Sequence, residues 1–108
     1  MNLLDNQLGI LACYLKTNPN LRSLILNDNR FISDDGIVSI ATALETNNKL
    51  AHLSILNCPL LSNHWLIEFI NTIENFNMML CQVDFDDLKV DNQMAQTLRM
   101  ETVLNKAI

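Results

Sequence analysis

Residues 21–49, LRSLILNDNRFISDDGIVSIATALETNNK, decide how the rest of the chain is read. They open with Leu21, Leu24 and Leu26 at the spacing L-x-x-L-x-L, pass through Asn29, and end in an amphipathic run preceded by helix-start residues. In a strand, alternate side chains share a face, so Leu21, Leu24 and Leu26 are expected inside. Arg22, Ser23, Ile25, Asn27 and Asp28 are then expected toward solvent. Asn29 follows where its amide can satisfy backbone groups exposed by the turn. Phe31 and Ile32 are expected to return to the core. Ser33 or Asp34 caps a helix, Asp35 suits its positive end, and Ile37, Ile40, Ala41 and Leu44 form its buried stripe.

The same grammar recurs on both sides. Upstream, Leu8, Leu11, Ala12, Leu15, Thr17 and Asn18 match Ile37, Ile40, Ala41, Leu44, Thr46 and Asn47, each about 29 residues on. Residues 3–17 therefore read as a helix with Leu4, Leu8, Leu11, Ala12 and Leu15 on one stripe, and residues 1–20 as a partial N-terminal unit. Downstream, residues 50–79 form a second full unit after 21–49. It carries Leu50, Leu53 and Ile55, Cys58 at the Asn29 position, Leu60 and Leu61 for Phe31 and Ile32, and Ser62 or Asn63 as cap. Leu66, Phe69, Ile70 and Ile73 form its helical stripe. Trp65 replaces Gly36, either packed over the helix layer, the preferred reading, or exposed as an anchor for a partner. Residues 80–108 are a divergent unit: Leu80, Val83 and Phe85 keep the strand, and Leu88 takes the Asn or Cys position. Val90 to Ile108 then reads as one helix capped by Asp91 or Asn92, with Met94, Leu98, Met100, Val103 and Leu104 around it. Such an end unit covers a face that has no neighbour.

Units of this kind stack because none buries its apolar face alone. The expected fold class is α/β: a short solenoid of stacked strand-and-helix units. So few units also suit a segment of a longer solenoid or larger assembly, with the N-terminal edge near Leu3 and Leu4 open.

Composition narrows the function. Lys and Arg number 7 against 12 Asp and Glu, a net charge of −5, and the basic residues are scattered, which disfavours nucleic acid. No apolar run approaches the roughly 20 residues of a membrane span. Leu8 to Cys13 looks superficially like a lipoprotein signal, but Asp5 and the lack of Lys or Arg before it favour a helix face. Cys13, Cys58 and Cys81 lack metal or redox spacing and read as free thiols in a reducing, cytoplasmic setting.

Chemistry-bearing clusters are sparse. His52 on a strand and His64 at a helix start are too far apart in the repeat to share a metal. Asp28, Asp34 and Asp35 lack the ligand alternation of a calcium loop. Ser23, Ser54 and His52 could approach one another on adjacent strands, but such side chains on a repeat face are expected to be simply solvated. No catalytic residue, metal or cofactor is expected, and the chain is read as not an enzyme.

The string L-x-x-L-x-L-x-x-N followed by a capped helix, with Asn29 and Cys58 alternating at one position, resembles ribonuclease-inhibitor-type leucine-rich repeat proteins. That resemblance implies a curved α/β solenoid, with parallel strands on the concave face and helices on the convex face, that binds proteins. The repeat type also occurs in a GTPase-activating protein, but no residue here matches its functional set. The segment from Asn18-Pro-Asn-Leu-Arg-Ser-Leu to the last helix also resembles the C-terminal repeat domain of tropomodulins, which implies an actin-binding role.

Stacking aligns outward strand positions into columns: Arg22 with Ala51 and Cys81; Ser23 with His52 and Gln82; Ile25 with Ser54 and Asp84; Asn27 with Leu56 and Asp86; Asp28 with Asn57 and Asp87. Arg22, Ile25, His52, Ser54, Leu56, Gln82, Asp84 and Asp86 are the candidate partner-binding residues. Ile25 and Leu56 beside Asp84 and Asp86 would seat a protein partner of basic and partly apolar character. Equally, the carboxylates could serve to keep a sheet edge soluble and unpaired.

Overall fold

The computed structural model describes residues 3–76, 79–86 and 92–107. Helix α1 (Asp5–Lys16) leads into strand β1 (Ser23–Ile25), α2 (Asp34–Leu44), β2 (His52–Ser54), α3 (His64–Asn75), β3 (Gln82–Asp84) and α4 (Asn92–Ala107). The strands form one parallel sheet in the order β1-β2-β3. Leu24 pairs with Leu53 and Leu53 with Val83, so the 29- to 30-residue spacing becomes lateral register. Among the described residues, each helix packs against the helix next in sequence, α1 with α2, α2 with α3 and α3 with α4. The result is an α/β domain with helices in one layer and strands in the other.

The inward positions follow the pattern. Leu26, Leu53, Ile55 and Phe85 are buried, as are the α2 stripe and Leu66, Phe69 and Ile73 of α3; Leu21, Leu24 and Ile70 pack against them partly exposed. Burying one such side chain stabilises by roughly 1.5–3 kcal/mol, so this shared core outweighs any single polar contact. Trp65 lies inside it, 1% exposed and edge-on to Phe69 and Phe85, with ring centroids 5.6 and 5.5 Å away. That excludes its reading as an exposed anchor. In α4, Leu98 is buried while Met100 is exposed. The readings for Asp87, Leu88, Val90 and the cap at Asp91, and for the side chains of Asn92, Val103 and Leu104, fall outside the described residues.

Three expectations need correction. Phe31 and Leu60 are about half exposed, while Ile32 is fully buried and Leu61 is partly so. The chain is extended here, and Ser33 forms an isolated parallel bridge with Leu60. Consecutive residues of extended backbone face opposite ways, so only one of each apolar pair can enter the core. Leu4 is likewise exposed rather than on the α1 stripe, because it occupies the N-cap position, where its N–H donates to Gln7 Oε1 at 2.8 Å. Neither Ser33 nor Asn63, at the N-cap positions of α2 and α3, makes a side-chain capping bond.

The serines and aspartates at the helix starts instead join successive units. Asp5 accepts the Ser33 N–H at 2.8 Å and the Ser33 hydroxyl, and Asp34 accepts the Ser62 N–H at 2.8 Å and the Ser62 hydroxyl. The same clasp thus recurs 29 residues later. Asn29 behaves as expected: its Nδ2 donates to the Leu26 carbonyl at 2.8 Å, and its Oδ1 accepts the Leu3 N–H at 3.0 Å. Cys58, buried at the equivalent position, directs its thiol to the same Leu26 carbonyl at 3.4 Å.

Gly36 is required where α2 crosses α1. A Cβ there would sit 2.5 Å from Asp5 Oδ1 and 2.7 Å from Leu8 Cδ1. Alanine ordinarily stabilises a helix interior by about 1 kcal/mol over glycine. Asp5 is held in the clasp and Leu8 is fully buried, so neither yields freely. Gly36→Ala is therefore expected to destabilise by about 1–2 kcal/mol in urea unfolding; a stabilised variant would show that the α1–α2 contact yields.

Candidate docking face

The outward strand positions are placed by the ladder itself. Ser23, His52 and Gln82 form one row, and Ile25, Ser54 and Asp84 another. Arg22 and Gln82 are exposed, Ile25 is 54% exposed, and Leu56, Asp84 and Asp86 are half-buried. The apolar and acidic groups of the predicted site therefore share one face.

Ser54 departs from the prediction. It is 2% exposed, and its hydroxyl donates to Asn27 Oδ1 at 2.7 Å. That oxygen also accepts the Leu56 N–H at 2.7 Å, so the Asn27 side chain bridges to the next unit and covers Ser54. Asn27 gave no sequence signal beyond its outward parity. A similar bridge follows in the next unit, where Asp86 Oδ2 accepts the Asn57 N–H at 2.9 Å and Asn57 Nδ2 donates to Asp28 at 3.0 Å. Asp28 and Asn57 have φ of 64° and 57°, the left-handed region that Asn and Asp tolerate better than most residues. They line a shallow depression of about 380 Å³ with Arg30 and Pro59, beside the strand rows. Arg30 was not among the predicted residues.

The expectation that Ser23 and His52 are merely solvated is overturned. Ser23 Oγ lies 2.9 Å from His52 Nδ1, and His52 Nε2 lies 2.7 Å from Asp84 Oδ2. Gln82 Nε2 donates to the other carboxylate oxygen at 3.0 Å. The Gln82 hydrogen bond, then that from His52, holds the Asp84 carboxyl below the usual carboxylate range. Asp84 is therefore an anion at neutral pH, and with Asp86 it makes the third strand acidic. His64 is apart from this row, exposed at the start of α3.

Among the described residues, no three His, Cys, Asp or Glu side chains converge as a metal site. Cys13, Cys58 and Cys81 form no disulfide. Among the described residues, no helix is long and apolar enough to cross a membrane.

Parallel strands in chain order, alternating with helices that each pack against the next, define a repeat-like α/β domain with an acidic, partly apolar strand face. Among solved structures, the chain is similar to one described as "Leiomodin-1 Actin-Binding Site 2 (ABS2)", with a TM-score of 0.88 at 22% identity. The match covers 99% of this chain and 60% of that one, so the chain spans about three-fifths of the leiomodin-1 structure. At that identity the likeness shows the fold alone. No protein-family model and no curated protein matches the chain.

Proposed function

We propose that the chain is an actin-binding module of tropomodulin and leiomodin type, built as a short leucine-rich-repeat solenoid and docking through its strand face and last helix. The observation that carries this is the fold likeness to leiomodin-1 actin-binding site 2 over nearly the whole chain. The surface chemistry is compatible with it. Ile25 and Leu56 supply apolar contact, and Asp84 and Asp86 supply negative charge for a partner surface bearing Lys or Arg beside an apolar group. Docking of this kind requires no turnover and no cofactor, and it implies a cytoplasmic setting.

The test is cosedimentation with actin filaments, together with binding of monomeric actin followed by fluorescence. The parent protein is expected to bind. Asp84→Lys combined with Asp86→Lys is expected to weaken binding at least about tenfold while leaving the circular dichroism unchanged. Failure of the parent to bind either form of actin would overturn the actin assignment. Parent-like binding by the double variant would remove the strand face from it.

A second reading, a segment of a longer solenoid or larger assembly, is favoured by the N-terminal edge. There Ile10 is 72% exposed and Tyr14 53%, and among the described residues β1 pairs only with β2. A monodisperse monomer in analytical ultracentrifugation would count against that second reading.

A further inference from the structure

The row Ser23, His52, Asp84 has a chemical consequence that docking does not need. A carboxylate only accepts hydrogen bonds, so the imidazole nitrogen facing Asp84, Nε2, carries the proton. In the neutral ring Nδ1 is then the acceptor, and the group 2.9 Å from it is the Ser23 hydroxyl. Nucleophile, base and orienting anion thus stand in series across three strands, the arrangement that activates a hydroxyl. The roles of the two ring nitrogens are exchanged relative to the serine-protease arrangement, which leaves the proton path intact.

The other serines lack this partner. Ser33 and Ser62 donate to carboxylates, which are far weaker bases than imidazole. Ser39 donates to a backbone carbonyl and Ser54 to an amide oxygen. Only Ser23 faces an imidazole.

Accessibility points the same way. Ser23 is exposed on an edge strand, while the His52 and Asp84 side chains are 28% and 35% exposed, so the base is partly shielded while the hydroxyl is open. The N–H groups of Leu26 and Asp28 and the carbonyl of Arg22 bond to the β2 segment. By alternation, the N–H groups of Ser23 and Ile25 point to the open side of β1.

We propose that Ser23 is an acyl-accepting nucleophile, with His52 as general base and Asp84 as the positioning anion, and that its substrates are activated acyl groups such as aryl esters and thioesters. Ser23 Oγ forms a bond to the acyl carbon, and its proton passes to His52 Nδ1. The carbon–oxygen or carbon–sulfur bond of the donor breaks, and its electron pair leaves with the phenolate or thiolate. Imidazolium, now protonated at both nitrogens against Asp84, returns its proton to solvent.

The test is incubation of the intact chain with p-nitrophenyl acetate, following p-nitrophenolate release and locating the acetyl group by peptide mass spectrometry. One acetyl group on Ser23 is expected, added at least about tenfold faster than to any other serine. Ser23→Ala is expected to abolish the fast phase, His52→Gln to slow it at least about tenfold, and Asp84→Asn to slow it by fixing the wrong tautomer, with Ser39→Ala unchanged. Each variant is compared at a circular dichroism spectrum matching the parent. Parent-rate release by Ser23→Ala would mean that the imidazole reacts alone and would overturn the proposal. Acetylation of Ser23 that is indifferent to both His52→Gln and Asp84→Asn, or no fast phase in the parent, would overturn it equally.

Discussion

Trp65→Ala is expected to destabilise the fold by about 3–5 kcal/mol, the range for removing a large aromatic from a packed core. A domain of this size has a total stability of order 5–15 kcal/mol, so much of the chain would be unfolded near physiological temperature. The magnitude follows from position: Trp65 is 1% exposed and makes edge contacts with Phe69 on its own helix and Phe85 after the third strand. Its loss would open a cavity where α3 meets the last unit. Trp65→Phe should cost less, because it keeps an aromatic edge and removes an indole N–H with no hydrogen-bond partner among the described residues. Equilibrium urea unfolding of the two variants measures both. A loss below about 1.5 kcal/mol for Trp65→Ala would show that the neighbouring side chains close the cavity.

Asn47→Ala is expected to cost about 2–4 kcal/mol through hydrogen bonds rather than volume. Asn47 is 1% exposed; its Nδ2 donates to the Leu15 carbonyl at 2.9 Å and its Oδ1 accepts the Lys49 and Leu50 N–H groups, each at 3.0 Å. One side chain thus ties the end of α1 to the chain entering β2. Truncation leaves the fully buried Leu50 N–H without its acceptor, while the Leu15 carbonyl keeps the Asn18 N–H at 3.0 Å. Asn47→Asp would keep the acceptor and lose the donor, so thermal unfolding of the pair separates the two halves of the bracket. If both variants unfold with the parent, the bracket contributes nothing.

These two residues also show what could be read in advance. Asn47 stood out only as the partner of Asn18 in a 29-residue match. Asn18 sits at φ 59° and pairs with Asn48, whereas Asn47 is buried, so equal spacing concealed unequal roles. The strand register was legible because Leu24, Leu53 and Val83 must all point the same way for any core to exist. The split between Phe31 and Ile32 was not, since two adjacent apolar residues compete for one inward position and backbone geometry chooses. Ser54 was misplaced because outward parity does not say whether a neighbour, here Asn27, will cover the position. The Ser23–His52–Asp84 row was half legible. The spacing brought Ser23 and His52 onto one row, but side-chain rotamers decide whether neighbours bond or merely stand side by side.

The recurring Asp–Ser clasp has a consequence for how the domain comes apart. Each unit is coupled to the next, and the coupling at Asp5 with Ser33 is chemically the same as that at Asp34 with Ser62. Links between successive neighbours make a one-dimensional lattice, in which melting enters from an end and moves inward link by link. The first helix, which brings no strand of its own, is thereby joined to the fate of the second. Weakening a single link should change where the unravelling pauses as well as the temperature at which it begins.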